Sequence, residues 1–390
     1  MLNQKRKEII LNTAQALIRA AGVSGAEKEA VETAKYQLQK LGFEQLKIDK
    51  YGSLIGKIKG KRPGPKLLLD AHIDTVGVDE SEWSQDPFGA QLKNGRLYGR
   101  GSSDMKGALA AMLTAAAFFA EDNNFSGEIY LSAVVFEELF EGVAARNISE
   151  LINPDYVIIG EASDLKIMRG QRGRAEIVVE TEGISAHSSN PAQGKNAVYD
   201  MLKLVEEIKK LEVIEDEFLG KAIMEVTDIK SSPYPGSSVI PNKCRVTYDR
   251  RLLLGESRED VLAPIKQLID DLGLQAKASF AVESKRCWTG NKIETERFFP
   301  AWEINAEQKL VQAAVKGLSS AGLEAELAHY SFCTNGSHYA GEKSIPTIGF
   351  GPSQEELAHT ADEYIELEQL YQAVRAYYSL IKELLKNKSS

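Results

Sequence analysis

The chain has 390 residues, of which 43% are hydrophobic and 26% are charged. This length is sufficient for two or three domains with a sizeable core, and the composition is ordinary for a globular protein. The formal net charge is −9 and the pI is near 5.4. We therefore expect no nucleic-acid partner, because no block of lysine or arginine is available to neutralise phosphates.

The sequence gives no sign of a membrane or secretory location. The most apolar stretch, residues 108–120, is too short to span a bilayer and predicts a buried core helix. The first ten residues are charged and lack the apolar region and cleavage site of a signal peptide. Cys244, Cys287 and Cys333 are scattered and odd in number, which favours reduced thiols. A cytoplasmic protein with no membrane partner is expected.

In chain order, two amphipathic helices are predicted first, within residues 5–42. Ser24-Gly-Ala-Glu27 fits a capping box at the start of the second helix. From Phe43 onward, strand-like runs alternate with turns until a long helix of alanine, leucine and methionine follows Asp104. Because these β-branched apolar runs are separated by helical runs, we predict an α/β domain with a mainly parallel sheet.

The pattern changes near Arg172. Strand-like and helical runs then follow in the order β-α-β-β-α-β, at residues 176–181, 194–211, 222–229, 244–254, 257–272 and 275–282. This order predicts a ferredoxin-like α+β domain. The α/β pattern returns after Pro300 and ends in a helix at 365–386. The sequence therefore predicts a discontinuous domain of residues 1–172 and 289–390, interrupted by an inserted domain of residues 173–288.

Charged side chains follow three of the predicted parallel strands, at the point where each strand ends. His72 and Asp74 follow the first, Glu137 and Glu138 the second, and Glu161 the third. Such sheets bind ligands beyond the carboxyl ends of their strands. Buried carboxylates are unfavourable there unless a cation neutralises them. Each residue alone has an ordinary structural explanation, but their co-occurrence favours a divalent-metal site.

Zinc binds histidine nitrogen and carboxylate oxygen, and one carboxylate can bridge two ions. Two imidazoles and three carboxylates, sufficient for two ions, are provided by His72, Asp104, Glu138, Glu161 and His359. Glu137 would face the opposite way from Glu138 along the strand and is left as a general base. Asp74, two residues beyond His72, is placed to fix the tautomer of that imidazole.

Several motifs occur in an order that resembles one protein family. They are His72-Ile-Asp-Thr-Val76, Trp83-Ser-Gln-Asp-Pro-Phe88, Gly95-Arg-Leu-Tyr-Gly-Arg-Gly101, Ser103-Asp-Met-Lys-Gly107, Glu137-Glu138, Gly160-Glu161, Gly183-Ile-Ser-Ala-His-Ser-Ser-Asn-Pro191, Asp249-Arg-Arg251 and Ala358-His-Thr360. The chain resembles the co-catalytic zinc family of acetylornithine deacetylase, succinyl-diaminopimelate desuccinylase, aminoacylase and glutamate carboxypeptidase. The likeness covers nearly the whole chain.

The resemblance implies two Zn²⁺ ions per chain, with Co²⁺ or Mn²⁺ as possible substitutes. His72 and Glu161 would hold one ion. Glu138 and His359 would hold the other, and Asp104 would bridge the two. The resemblance also implies that Glu137 activates the attacking water and that the peptide bond after Asp104 is cis.

The resemblance further implies that the inserted domain is a lid and dimerisation domain in a homodimer. His187 would reach the partner subunit's active site and help to polarise the scissile carbonyl. Arg251, with Arg250 as an open alternative, would bind the substrate carboxylate. The segment Thr334, Asn335 and Gly336 lies where the family has a substrate-facing loop.

These expectations describe a zinc-dependent amidohydrolase. Its substrate would be an N-acyl amino acid or a small peptide with a free carboxylate. A di- or tripeptidase or another exopeptidase of the same family is an open alternative, because the metal ligands are shared and specificity lies elsewhere. A catalytically inactive binding relative is a further alternative. Retention of the proposed base and of all five ligands argues against it.

Overall fold

The structure is a computed structural model that describes residues 2–212 and 214–386. The α-helices described are α1 (Gln4–Arg19), α2 (Lys28–Lys40), α3 (Lys106–Asp122), α4 (Val143–Ile152), α5 (Ala197–Ile208), α6 (Arg258–Asp271), α7 (Lys309–Ser320) and α8 (Leu367–Leu385). The strands described as far as residue 171 are β1 (Glu44–Ile48), β2 (Leu54–Lys59), β3 (Arg62–His72), β4 (Gln91–Lys93), β5 (Arg96–Tyr98), β6 (Ser126–Val134), β7 (Tyr156–Ile159) and β8 (Ile167–Gln171). The strands that follow are β9 (Gly173–Glu182), β10 (Glu215–Asp216), β11 (Gly220–Lys221), β12 (Ile223–Ser232), β13 (Lys243–Leu252), β14 (Ala276–Phe280), β15 (Val282–Arg286), β16 (Lys292–Glu296), β17 (Phe298–Phe299), β18 (Trp302–Glu303), β19 (Leu327–Tyr330), β20 (Thr347–Gly349) and β21 (Tyr364–Glu366).

The chain divides into two compact units. The first unit comprises residues 1–171, 284–293 and 302–390, and the second comprises residues 172–283 and 294–301. This differs from the predicted single return at residue 289, since the chain passes between the units four times. The reason is local pairing: β17 joins the second unit by pairing with β9. The side chains of Thr289 and Asn291 instead bond to the carbonyl of Lys50 in the first unit.

The first unit is built on a sheet whose centre is parallel. The strand order is β1-β2-β6-β3-β7-β20-β8-β18. The pairs β6–β3, β3–β7 and β7–β20 are parallel, whereas the outer pairs along this order are antiparallel. In the central register, Leu69 of β3 pairs with Leu131 on one side and with Ile158 on the other. The predicted α/β class with a mainly parallel sheet is confirmed.

The chain reverses its direction across this sheet at β6. From β3 it passes through α3 to the neighbouring strand β6, and from β6 it passes through α4 back past β3 to β7. Because parallel connections are right-handed, these opposite steps place α3 and α4 on opposite faces of the sheet. A crevice forms at such a reversal, beyond the carboxyl ends of the strands.

Helix α3 is buried in the first unit over most of its length. Residues 106–119 are all buried, and most are alanine, leucine, methionine or phenylalanine. A helix that is apolar on all sides is stable only when it is surrounded by protein. The predicted buried core helix at 108–120 is therefore confirmed.

The second unit has the predicted ferredoxin-like topology. Its sheet has the order β12-β13-β9-β14, and all of its pairs are antiparallel. Helices α5 and α6 contribute Met201, Leu204 and Ile265 to a core shared with Val179 and Val246 of the sheet. In this arrangement β12 is an edge strand.

Two further expectations concern the whole chain. Cys244, Cys287 and Cys333 are all buried and free of disulfide bonds. Across the described ranges, no helix combines the length with the apolar character that crossing a bilayer would need.

Helix α7 packs closely on α8 at Gly317, which provides a test of the fold. A Cβ atom at Gly317 would lie 2.8 Å from the Cα of Leu380 and 2.9 Å from its backbone nitrogen. Overpacking against backbone costs about 1–3 kcal/mol, and alanine's better helix propensity returns only about 1 kcal/mol. Gly317→Ala should therefore destabilise the protein by about 1–2 kcal/mol.

The measurement is the melting temperature at fixed protein and metal concentration. Gly77→Ala is the matched control, because a Cβ there meets no atom within 4 Å. A Gly317→Ala protein that melts at or above the parent temperature would show that the two helices pack less closely than described.

Candidate metal centre

Three adjacent parallel strands deliver charged side chains to one edge of the sheet. Strand β3 ends at His72, whose side chain is 1% exposed. Glu137 and Glu138 follow β6, and Glu161 follows β7 by two residues. The central strand β3 pairs with both of the others, so their carboxyl ends meet.

The carboxylate of Asp104 lies between the two imidazoles. Its Oδ1 is 2.8 Å from Nε2 of His72, and its Oδ2 is 3.1 Å from Nε2 of His359. His359 Nε2 also lies 2.9 Å from Oε2 of Glu138. One carboxylate therefore presents a separate oxygen to each imidazole, as a bridging ligand must. The Asp104–Met105 peptide bond is cis, as the resemblance implied.

The remaining carboxylates surround His72. Its Nε2 lies 3.6 Å from Oε1 of Glu161. Candidate ligand atoms of His72, Asp104 and Glu138 all lie within 4.8 Å of one another, and so do those of His72, Glu137 and Glu161. The structure thus brings together all five predicted ligands and the predicted base.

The predicted opposite orientation of Glu137 and Glu138 is wrong. Strand β6 ends at Val134, and Phe136 has a φ of 60°, so the alternation of a strand stops before the two glutamates. Both carboxylates consequently lie in the cluster around His72. Glu137 therefore offers a carboxylate oxygen to the cluster, as Glu138 does.

Asp74 supports the cluster in a different way from the one predicted. Nδ1 of His72 is 2.9 Å from the backbone carbonyl of Asp74, whereas the Asp74 carboxylate is 3.7 Å away. A carbonyl can only accept, so Nδ1 carries a proton, and Nε2 is the nitrogen that could bind a metal ion once it has lost its own proton. The Asp74 carboxylate instead accepts hydrogen bonds from the backbone N–H groups of Glu137 and Glu138, at 3.1 and 3.2 Å.

Ser24 belongs to this support and does not cap α2. Its hydroxyl donates to Oδ2 of Asp74 at 2.7 Å. The predicted partner, Glu27, accepts from the backbone N–H of Gly25, and no side-chain capping bond is present. The predicted capping box is therefore wrong, because Asp74 competes for the serine.

The cluster carries more negative than positive charge. Burial, followed by the charge of Glu161, raises the pKa of Glu137 well above its usual value. Burial likewise raises the pKa of Glu161 well above the usual value. Hydrogen bonds to Asp104 and Glu138 raise the pKa of His359 to about 10. The site thus favours added positive charge, whether from protons or from a cation.

The unpaired atoms of the cluster show that metal ions fit it. Glu137 Oε1 and Glu138 Oε1 are buried and have no hydrogen-bond partner among the described residues. Leaving a buried charged group without a partner is costly. Two imidazoles and several carboxylates are the donor set that Zn²⁺ and similar ions bind.

The side chains of Thr334 and Asn335 are 0% and 2% exposed. Thr334 donates to Gln171 at 2.6 Å, and Asn335 donates to the buried carboxylate of Asp70 at 2.9 Å. Gly336 leaves room for the Trp302 indole, which a Cβ would meet at 2.4 Å. The predicted contact of these side chains with substrate is not supported, because they are already engaged inside the first unit.

His187 and Arg251 belong to the second unit. His187 is exposed, and its Nδ1 accepts from the backbone N–H of Ser189 at 3.2 Å. Arg251 contacts Asp249 at 2.8 Å, whereas Arg250 is held by Glu256 at 2.6 Å. Tyr248 and Leu252, which alternate with Arg251, are buried in the core on the helix-covered face. Arg251 therefore lies on the other face of the sheet from Arg250.

Sequence reasoning missed Glu363, which is fully buried beside the Asp104 segment. The available signal was its place four residues after His359, immediately before the apolar start of β21. Charged residues at strand starts are common, so that signal is weak.

Comparison with known proteins identifies the chain's family. The model of Peptidase family M20/M25/M40 matches residues 68–383. The uncharacterized protein YgeY of Escherichia coli (strain K12) is 34% identical over 346 residues, which cover 86% of this chain and 85% of that protein. Acetylornithine deacetylase of Buchnera aphidicola subsp. Schizaphis graminum is 30% identical over 333 residues, which cover 82% of this chain and 80% of the relative.

The fold of a solved structure agrees with the fold of this chain. The crystal structure of aminopeptidase PepT from Bacillus cereus superposes with a TM-score of 0.76 at 19% identity, covering 97% of this chain and 98% of that one. Fold and cluster together define a metal-binding hydrolytic enzyme. The chain belongs to peptidase family M20/M25/M40, and the predicted family is confirmed.

The electrostatics of the cluster predict that metal binding stabilises the fold. A divalent cation at 100 times its dissociation constant should raise the free energy of unfolding by about 2.7 kcal/mol per site. Because His359 has a pKa of about 10 without metal, it is protonated at pH 7 and must lose a proton to bind an ion. The stabilisation should therefore weaken as the pH falls from 8 to 6.

The melting temperature of metal-stripped protein, titrated with ZnCl₂ at each pH, measures this effect. Asp104→Asn should remove most of the shift. Asp79→Asn, at an exposed aspartate, should retain it. An equal zinc-induced shift in parent and Asp104→Asn protein would place the metal elsewhere.

Proposed function

We propose that the chain hydrolyses an amide bond of an N-acyl amino acid or small peptide that carries a free carboxylate. The observation that carries this proposal is the position of Asp104 between His72 and His359 in a carboxylate-rich cluster. His72 and Glu161 would hold one divalent ion, and His359 and Glu138 the other, with Asp104 shared. Zinc is the proposed metal, with Co²⁺ or Mn²⁺ as substitutes.

Bound divalent ions would lower the pKa of a water and polarise the scissile carbonyl. Glu137 is the proposed general base. It accepts the proton of the attacking water and then returns that proton to the leaving amine. Burial raises its pKa, which makes the carboxylate a stronger proton acceptor than an exposed glutamate. Asp74 holds the backbone that carries this base.

Arg251 is the proposed partner of the substrate carboxylate, because a guanidinium matches a carboxylate with two hydrogen bonds. Its contact with Asp249 leaves part of the side chain exposed, whereas Arg250 and Glu256 are both largely buried. These exposures favour Arg251 over Arg250.

His187 is the proposed donor to the developing oxyanion. The backbone N–H of Ser189 can only donate, so Nδ1 of His187 is the acceptor and the ring proton lies on Nε2. Nε2–H is then available to donate a hydrogen bond. That His187 acts in a partner subunit is proposed from the family resemblance alone.

A homodimer through the second unit is also proposed. Edge strand β12 exposes Ile223, Val226 and Ile229, and helix α5 exposes Tyr199 and Leu202. Exposed edge strands with apolar side chains pair readily with another strand, and a second copy of the same strand satisfies twofold symmetry.

A substrate panel tests the proposed function and separates its two forms. The zinc-loaded protein would be assayed with acetyl-, succinyl- and formyl-amino acids, with di- and tripeptides, and with the matching amides that lack the free carboxylate. Hydrolysis of acyl amino acids supports the deacylase, and hydrolysis of peptides supports the peptidase. No hydrolysis of any amide by metal-loaded protein would overturn the proposal.

Glu137→Gln should lower turnover by about 10²–10⁴-fold while the protein retains two metal ions per chain, because only the proton acceptor is lost. Glu138→Gln should instead lose metal. Glu128→Gln is the control, because Glu128 lies on β6, which precedes the two glutamates, and is paired with Lys57. Turnover, together with metal content measured by mass spectrometry, distinguishes the base from the metal ligand. Metal loss in Glu137→Gln with active Glu138→Gln would exchange the two roles.

His187→Ala should lower kcat by about 10²–10³-fold with unchanged metal content, as for removal of an oxyanion donor. Mixing inactive His187→Ala and Glu137→Gln chains should restore partial activity if the donor comes from a partner. Each mixed dimer then holds one site with an intact base and donor. Verified subunit exchange without returning activity would contradict a role across subunits.

A further inference from the structure

Glu363 is a buried acid that the proposed reaction does not use. Its side chain is 0% exposed, and it lies four residues after His359, immediately before β21. A fully buried glutamate is costly unless its oxygens are well paired. Its partners therefore indicate what it does.

Both oxygens of Glu363 accept hydrogen bonds from the segment that carries Asp104. Oε1 accepts from the backbone N–H groups of Ser103 and Asp104, at 2.7 and 3.0 Å. Oε2 accepts from the backbone N–H of Gly101 at 3.0 Å and from the Arg100 guanidinium at 2.7 Å. Four donors converge on one carboxylate, and three of them are backbone groups within four residues.

The backbone of Glu363 fixes the same segment from the other direction. Its carbonyl accepts from the N–H of Gly99 at 2.9 Å. The next residue, Tyr364, pairs with Tyr98 in the antiparallel ladder between β21 and β5. The chain leading away from His359 is therefore tied to the chain leading into Asp104, although the two are about 260 residues apart in sequence.

We infer that Glu363 is a positioning residue that sets Asp104 and His359 at the spacing a shared metal ion requires. This inference rests on the proposed function. Asp104 must present one oxygen to His72 and the other to His359, so rotation of its backbone would disturb both contacts. A carboxylate is needed because only two acceptor oxygens can meet all four donors. An amide would direct an NH₂ group at N–H donors.

The test compares three variants. Glu363→Gln removes the charge and one acceptor oxygen at nearly constant volume. Glu363→Asp keeps the charge but shortens the reach. Glu366→Gln is the matched control, because Glu366 is partly exposed and bonds to Arg96 at 2.8 Å. Each protein would first be checked for native circular dichroism at 25 °C.

The main measurement is the zinc dissociation constant, by competition with a chromophoric chelator. Loss of a group that orients a metal ligand typically weakens metal binding by about 10–100-fold. We expect a weakening in that range for Glu363→Gln, a smaller one for Glu363→Asp and none for Glu366→Gln. Excess zinc should restore hydrolysis by Glu363→Gln but not by Glu137→Gln, because only the latter lacks the base.

Failure of this inference differs from failure of the proposed function. A parent protein that binds no zinc, or binds zinc and hydrolyses no amide, would overturn the proposed function. Tight zinc binding by the parent with equal affinity in folded Glu363→Gln would overturn only the positioning role. If Glu363→Gln does not fold, Glu363→Asp decides: unchanged zinc affinity in that variant rejects the inference, and weaker binding supports it.

Discussion

The site depends on one largely buried carboxylate that must satisfy two imidazoles at once. Asp104 presents a different oxygen to His72 and to His359, and the two histidines come from opposite ends of the chain. Such an arrangement tolerates little rotation of the carboxylate, since a rotation that shortens the contact with one imidazole lengthens the contact with the other. The surrounding structure can be understood as the means of holding it.

Two fully buried carboxylates support the cluster through backbone N–H groups, one beside the two glutamates and the other beside Asp104. Asp74 accepts from the backbone of Glu137 and Glu138, and Glu363 accepts from the backbone of Ser103 and Asp104. Backbone donors are better anchors than side chains because they have no rotamers to lose. The acidic cluster is thus supported by more acid. The cost of burying each supporting carboxylate is offset by the hydrogen bonds that both of its oxygens accept.

The sequence predicted what depends on periodicity and strand ends. The parallel sheet, the buried helix α3 and the ferredoxin-like order all follow from patterns that are local.

The features that the sequence did not predict depend on contacts that no local pattern encodes. Ser24 bonds to Asp74 across 50 residues, so its capping motif was misleading. The φ of 60° at Phe136 turns both glutamates into the cluster, although strand alternation separates them. The Thr334 segment was assigned by analogy, whereas its hydrogen bonds to Gln171 make it part of the interior.

The division of the first unit among three chain segments has a consequence for biosynthesis. A nascent chain that has emerged as far as residue 301 contains the whole second unit, but it lacks β20, α8 and His359. The second unit can therefore complete its own sheet first. Four of the five proposed metal ligands precede residue 301, and His359 follows it. The proposed metal site can therefore be completed only after the second unit has been synthesised.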